Sequence, residues 1–497
     1  MSDGSGPGTT DYRNDPWHTG DHFIDGEWRP STGTGRIEVV NPATGEAWAS
    51  VPVASTEDLD AAMVAARRAF DEGPWPRMAP SERAGVLLRF ADEVEARAEA
   101  LSATNTRENG SPVAETGGAA ANAAGILRYF ATLAGHLERE DVRPFPHGGG
   151  GGSAESVVRR DPLGVCALIA PWNFPINLVV IKLAPALLAG NTVVIKPASP
   201  TPLSIRHIVE AAAAAGVPPG VVNLVTGNGR TGDAMVRHPQ VDKVAFTGST
   251  EVGRRIAAAC GELLRPVTLE LGGKSAAILL DDVDLDAFAR VFVRSCMRNS
   301  GQTCYISTRI LAPRSRYEEI VARITEVVAG APQGDPFEPG TVFGPVANRA
   351  QYDSVLDHLA SARAEGARFA TGGDPLPGPG FFIAPTVLAD VSPEMRVARE
   401  EIFGPVVTIQ PYGDLDEAIG IANSTPFGLG GIVFSVDEQR AFEVAERIDS
   451  GSVGINFFAS NHAAPFGGRH DSGMGVEYGI EGLEQYIAFK SIHRRAD

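Results

Sequence analysis

The chain has 497 residues, 43% of them hydrophobic and 21% charged, with a formal net charge of −18. That length exceeds what one ordinary core uses and implies two or three domains. The acidic balance speaks against a nucleic-acid partner, which needs basic surface, and the lack of any run of about 18 apolar residues speaks against a membrane span.

The opening segment MSDGSGPGTTDYRNDP carries no apolar core, so it does not read as a signal peptide. Residues 1–17 have the Gly, Ser, Asp and Pro composition of a disordered tail. From Phe23 to Ala54 short β-type runs alternate with turn signals such as Asp25-Gly26, a small antiparallel start. Residues 56–140 have helical periodicity and predict several packed helices. The glycine run Gly148–Gly152 reads as a flexible tip between two strands.

From Val165 the pattern alternates. Strands are predicted at Val165–Ala170, Thr192–Lys196, Val221–Val225 and Val244–Phe246, with helices at Asn177–Ala189, Leu203–Ala215 and Val252–Leu264. Strands and helices in alternation imply a parallel α/β sheet, whose ligands bind at the carboxyl ends of the strands. Those ends hold Pro171-Trp172-Asn173, Lys196-Pro197, Gly227-Asn228-Gly229 and Thr247-Gly248-Ser249. Ser249 or Thr250 can cap the following helix, leaving free N–H groups for an anion. A plain capped helix has the same sequence, and no GxGxxG fingerprint supports a standard pyrophosphate loop. Lys196 can reach ribose or phosphate, or stand solvated at a strand end.

Glu270 lies in the apolar stretch Val267-Thr268-Leu269-Glu270-Leu271. Burial there raises a carboxyl pKa and makes a base usable near neutral pH; a solvent-facing strand glutamate is the alternative. Gly272-Gly273 can let the chain cross between domains. A second α/β region follows to about Pro465, and Tyr486–His493 alternates like an exposed strand. Within it, Gly301-Gln302-Thr303-Cys304 sits where a helical run (Ala287, Phe288, Val291, Phe292) gives way to a β run (Ile306, Ile310, Leu311). Such a junction can present one thiol at a bend, although a lone cysteine is more often a small buried hydrophobe. Cys166, Cys260 and Cys296 read as packing residues, and the spacing of the four cysteines offers neither a disulfide framework nor a zinc site. So few cysteines fit a reducing cytoplasm.

Six stretches together resemble the NAD(P)-dependent aldehyde dehydrogenase superfamily, from about Phe23 to Ile492: Pro171-Trp172-Asn173-Phe174-Pro175, Ile195-Lys196-Pro197, Phe246–Thr250, Leu269–Lys274, Gly301–Cys304 and Glu401-Ile402-Phe403-Gly404-Pro405. The resemblance implies a Rossmann-like cofactor domain, an α/β catalytic domain and a β-flap for assembly. The expected division is 18–140 and 159–271 for NAD(P), 272–470 for catalysis, and 141–158 with 471–497 for the flap and C-terminal strand. A homodimer or homotetramer is the family's usual assembly.

By the same resemblance Cys304 is the nucleophile, Asn173 and the Cys304 N–H form the oxyanion hole, and Glu270 activates the hydrolytic water. Lys182 and Glu477 match a proton-relay pair. Lys196 and Ser199 fall at the adenosine ribose, Gly227 and Gly229 at the adenine side, and Thr247, Gly248 and Ser249 at the pyrophosphate. Trp172, Leu271, Glu401 and Phe403 fall towards the nicotinamide side. Many NAD-preferring members carry a glutamate where this chain has Ser199; its absence removes a repulsion against a 2′-phosphate. NAD is the expected cofactor, with NADP possible and no metal.

Phe174, Leu178, Ile181, Thr303, Tyr305 and Phe466 are expected to line an apolar tunnel suited to a medium aliphatic, aromatic or terpenoid aldehyde. Arg298 is the odd residue: it can pair a substrate carboxylate, making the target a semialdehyde, or be satisfied by a local acid. A CoA-acylating dehydrogenase usually lacks the glutamate present here as Glu270. A non-catalytic protein on the same fold is expected to lose Cys304 or Glu270, and both are present.

Overall fold

In the computed structural model, residues 21–145 and 153–495 are described; the expected N-terminal tail and the Gly148–Gly152 tip lie outside them. The β-branched run Thr192–Lys196 is buried along its whole length, as a strand covered on both faces by helices must be. It belongs to an eight-stranded sheet. Five of its strands run parallel, in the spatial order Val222–Leu224, Thr192–Lys196, Val165–Ile169, Lys243–Thr247, Val267–Glu270. The chain order reverses between Val165–Ile169 and Lys243–Thr247, which opens a crevice outside the carboxyl ends of these two strands.

Both edges of this sheet are antiparallel additions. The Asp21–Ile24/Glu27–Pro30 hairpin joins one side, with Phe23 opposite Leu224. Gly473–Met474 joins the other, beside Leu269 and Glu270. The helix Pro175–Ala189 is apolar almost all round and accordingly lies buried between the sheet and the helices Pro80–Glu95, Ala119–Thr132 and Ser204–Ala214. It stops at Gly190, whose φ of +96° suits glycine.

After Glu270 the chain leaves this sheet and, past Gly272-Gly273, enters a seven-stranded one at Ala276–Leu279. Its parallel strands include Arg309–Pro313, Val406–Tyr412, Thr386–Ala389 and Gly431–Phe434. A third, three-stranded antiparallel sheet joins Asp141–Pro144, Ala154–Pro162 and Ile487–Arg495. The middle strand runs to Pro162, beyond the expected end of the flap at 158. Among the described residues of the segment 471–497, only Ile487–Arg495 pairs within this sheet, while Gly473–Met474 pairs in the first one.

The helix before Cys304 departs from the expected simple junction. Leu285–Phe292 is α-helical, Val293–Met297 widens into a π turn, and Asn299, Ser300 and Gly301 then take left-handed backbone. Two consecutive non-glycine residues there are costly and persist only when their surroundings hold them. Ser111 Oγ donates to Asn299 Oδ1 at 2.6 Å, Ser300 Oγ donates to the Gly344 carbonyl at 3.0 Å, and Ala347 N donates to Gln302 Oε1 at 2.9 Å. A side chain at Gly301 would overlap the Gly404 carbonyl, so this position requires glycine twice over.

Candidate active site

The turn puts Cys304 at the boundary of the two sheets, partly exposed, while Cys166, Cys260 and Cys296 are buried. Burial holds the Cys166 thiol up at about 12, as expected of packing cysteines. The Cys304 thiol is also pushed up, by burial first and then by the negative charges of Glu401 and Glu270. These two carboxylates are therefore close enough to act on it.

Asn173 follows the strand Val165–Ile169 and precedes the helix that begins at Pro175. Its Nδ2 donates to the Gln302 carbonyl at 3.0 Å, and its own carbonyl accepts from Asn109 Nδ2 at 3.0 Å and Asn299 Nδ2 at 3.2 Å. One N–H of its amide is thus spent fixing the Cys304 turn, and the other remains for a ligand.

Glu270 ends its strand opposite Thr247. It is buried, and neither carboxylate oxygen has a hydrogen-bond partner. Burial pushes its pKa well above the usual carboxylate range; the charge of Glu477 adds to this and that of Lys182 opposes it. Lys182, fully buried, donates to Glu477 Oε1 at 2.5 Å and to Thr247 Oγ1 at 2.6 Å. The expected pair Lys182–Glu477 is therefore a contact, held in place by the reciprocal backbone bonds of Glu477 with Phe466.

A cavity of about 670 Å³ contains Asn173 and Cys304 in its wall. All seven expected substrate residues line it: Phe174, Leu178, Ile181, Arg298, Thr303, Tyr305 and Phe466. Leu178 and Ile181 sit one turn apart on the buried helix and share a face with Lys182. Tyr305 stacks on Phe458 at 4.8 Å between centroids and meets Phe466 edge-on at 6.2 Å. Arg298 does not stand open: Glu115 Oε2 accepts from its Nε at 2.8 Å, and its Nη1 donates to the Tyr305 hydroxyl at 2.7 Å. Glu115, Phe458 and Tyr478 were not foreseen; none belongs to a motif, and only their long-range packing brings them here.

The remaining candidates lie along the carboxyl ends of the first sheet. Lys196 Nζ donates to the carbonyls of Pro197 at 2.9 Å and Gly227 at 3.2 Å, and burial lowers its pKa to about 8. Ser199 Oγ donates to the same Gly227 carbonyl at 3.2 Å. A helix begins at Gly229 behind its cap Asn228, and another at Thr250 behind its cap Ser249. Gly248, after Thr247, donates its N–H to the Glu270 carbonyl at 3.0 Å. Leu271 is buried against Gly253, which leaves no room there for a side chain.

From the other sheet, Glu401 Oε1 accepts from Gly273 N at 3.0 Å, and burial raises its pKa to about 7. Its Oε2 lies where a side chain on Gly272 would sit. Phe403, with left-handed backbone, packs edge-on against Trp172 at 5.3 Å. Lys274 Nζ, buried and unpaired in a hydrogen bond, has its pKa lowered to about 7 by burial and by Arg309. A lysine, a capped helix start, glycines without side chains and a carboxylate with a spare oxygen fit a dinucleotide laid along this edge.

A parallel sheet with this crevice, next to a second sheet and an open cavity with a thiol in its wall, fits a dinucleotide-dependent enzyme with a cysteine at its site. The sequence profile of the aldehyde dehydrogenase family matches residues 28–492. The chain belongs to that family and is an oxidoreductase acting on the aldehyde group. It is 46% identical to the geranial dehydrogenase of Castellaniella defragrans, over 95% of this chain and 98% of that one. It superposes with a TM-score of 0.92, at 43% identity, on the Mycobacterium tuberculosis aldehyde dehydrogenase complexed with NAD+, covering 95% of this chain and 97% of that one. With aldehyde dehydrogenase C of Pseudomonas syringae, solved with NAD+ and octanal, the TM-score is 0.91 at 39% identity, over 96% and 97% of the two chains.

Proposed function

We propose that the protein oxidises a medium-sized apolar aldehyde (aliphatic, aromatic or terpenoid) to the carboxylic acid, with NAD as the hydride acceptor. The observation that carries this reading is one cavity of about 670 Å³ that has Cys304 and Asn173 in its wall together with the apolar side chains Phe174, Leu178, Ile181, Phe458 and Phe466, with the unpartnered carboxylate of Glu270 close enough to raise the thiol's pKa. The volume falls within the range of about 300–1,000 Å³ usual for small-molecule sites.

The steps then follow from the residues. Cys304 attacks the aldehyde carbon as the thiolate, its proton leaving to Glu270, whose raised pKa makes it a competent acceptor. The free N–H of Asn173 and the backbone N–H of Cys304 receive the oxyanion of the thiohemiacetal; one such donor is worth about 3 kcal/mol of barrier. When bound, NAD would supply the acceptor for the hydride lost from the Cys304 thiohemiacetal, leaving the thioester on Cys304. Glu270 then takes a proton from water as it attacks the thioester carbon and returns it to the Cys304 sulfur as the C–S bond breaks and the acid leaves; for this it must first give up the proton it took from the thiol, which departs to solvent. Glu477 and Lys182, in contact with Thr247 beside Glu270, form a path for that proton.

Lys196, Ser199, Gly227 and Gly229 would hold the adenosine end of the cofactor. Thr247, Gly248 and Ser249 would hold the pyrophosphate, and Glu401, Phe403, Trp172 and Leu271 the nicotinamide end. NAD+ in the related structures supports this cofactor. NADP is a second reading, favoured by the hydroxyl of Ser199, which puts no negative charge against a 2′-phosphate. A terpenoid or a linear aldehyde is favoured by the geranial dehydrogenase and octanal relatives.

A homodimer or homotetramer built on the flap is part of this proposal. It is supported by Ile487–Arg495, a long edge strand that leaves Phe489 57% and Ile492 43% exposed. Light scattering on the purified protein tests it.

The activity is tested by reduced-nicotinamide absorbance. Octanal, geranial, benzaldehyde, betaine aldehyde and succinic semialdehyde would each be offered with NAD and with NADP. Fastest turnover of a neutral apolar aldehyde with NAD is expected. Turnover of the semialdehyde alone, or of none by folded protein, would contradict the reading.

A further inference from the structure

The wall of the cavity beside Cys304 includes a charged pair, Glu115–Arg298. Each side chain is about three-quarters buried. Glu115 Oε2 accepts from Nε of Arg298 at 2.8 Å and lies 2.8 Å from Nη2 in the ion pair, and Nη1 donates to the Tyr305 hydroxyl at 2.7 Å. The guanidinium also lies 5.1 Å over the Phe174 ring. Its polar edge and its face are thus both engaged, and its charge is cancelled at contact distance.

The placement of Glu115 is fixed. It sits on the short turn of helix Val113–Thr116, 183 positions before its partner in the chain. Thr116 ties that turn to Thr106 at 2.7 Å and Ser102 at 3.0 Å. The neighbouring Ser111 reaches the Cys304 turn through Asn299. The two other arginines on the cavity wall, Arg290 and Arg294, are exposed and largely screened by water and salt.

We propose that Glu115 is a specificity-determining residue: by neutralising Arg298 it keeps the cavity selective for uncharged aldehydes, and removing its charge opens the same site to aldehydes that carry a carboxylate. This rests on the aldehyde-oxidising reading above and names the residue that sets its substrate class. Without Glu115 the guanidinium has no anion beside it, and a substrate carboxylate becomes the natural partner. A hydrogen bond to a charged group in a largely buried site is strong enough to shift preference by about tenfold or more.

The test compares matched reagents of opposite charge state. Benzaldehyde and 4-carboxybenzaldehyde would be oxidised with NAD by the unaltered enzyme, by Glu115→Gln and by Glu115→Gln/Arg298→Met. In parallel, Cys304 alkylation by iodoacetamide and by iodoacetate would be followed by peptide mass spectrometry, each rate scaled to a free thiol. The alkylation readout needs no turnover, so it separates failure of this inference from failure of the aldehyde-oxidising reading.

In Glu115→Gln the anionic-to-neutral ratio should rise at least fivefold in both assays, and in the double variant it should fall back. A smaller rise, or one that survives the loss of Arg298, would overturn the proposal. So would a tenfold scaled preference of unaltered Cys304 for iodoacetate, which would mean Arg298 is not masked. If Glu115→Gln does not fold, Glu115→Ala carries the same expectation.

Discussion

Two acids, Glu270 and Glu401, act on one thiol from opposite sheets, and their settings differ. Glu270 ends a strand of the first sheet with both oxygens unpartnered. Glu401 comes from a loop of the second sheet and is held by the Gly273 N–H. Burial raises both; at Glu270 the charge of Glu477 adds to it and that of Lys182 opposes it, whereas at Glu401, raised to about 7, the Gly273 N–H and Lys274 favour the anion. A free, proton-hungry carboxylate is suited to take protons; a tethered one with a spare oxygen is suited to hold a ligand. The residue type is the same and the surroundings assign the work.

Removing their common target gives the largest effect. Cys304→Ala should lower aldehyde oxidation by about 10⁴-fold or more, while NAD still binds with near-unaltered affinity by fluorescence titration. Residual turnover within tenfold of the unaltered enzyme would mean neither acid serves this thiol. Next, Glu270→Gln should slow steady-state turnover by about 10²–10⁴-fold, the usual worth of a general base. Glu401→Gln should be milder, about tenfold, with the loss in the KM for NAD and in hydride transfer. If the two variants lost the same step to the same extent, the division of labour between them would be wrong.

The pH dependence sharpens the contrast further. A raised pKa keeps Cys304 and Glu270 protonated to higher pH, and both must lose a proton to react. Activity should therefore rise from pH 6 to pH 9, in kcat/KM measured at saturating NAD. In Glu401→Gln the loss of a nearby negative charge lowers the thiol's pKa, so alkylation of Cys304 at pH 8 should quicken severalfold. A slower reaction there would deny that Glu401 acts on the thiol.

Much of this was legible in the chain itself. Thr192–Lys196 is a strand with the residues its β-branched run predicts, and the buried helix that the apolar content predicts over Asn177–Ala189 starts two residues earlier, at Pro175. Local patterns sufficed because burial on both faces leaves a continuous apolar signature. The candidate substrate residues converged on one cavity because most of them sit on that helix or on the Cys304 turn.

What could not be read depends on contacts distant in sequence. The π turn at Val293–Met297 and the left-handed pair Asn299-Ser300 are held by Ser111, Gly344 and Ala347, and no local propensity encodes them. The sequence leaves Arg298 open between two partners, and the one it meets, Glu115, lies on a turn without a motif. Gly473–Met474 looked like part of the C-terminal arm, yet two residues at a sheet edge carry too little pattern to show where they pair.

In the proposed reaction Cys304 carries the acyl group and Glu270 drives its removal by water. The measurement that tests it most directly is intact-protein mass spectrometry of Glu270→Gln mixed with octanal and NAD, with absorbance followed over the first turnover. The expected result is one octanoyl group on the Cys304 peptide and a burst of reduced nicotinamide equal to the enzyme present. Steady production of octanoate at the unaltered rate, with no acyl group on Cys304 at any time, would contradict the account.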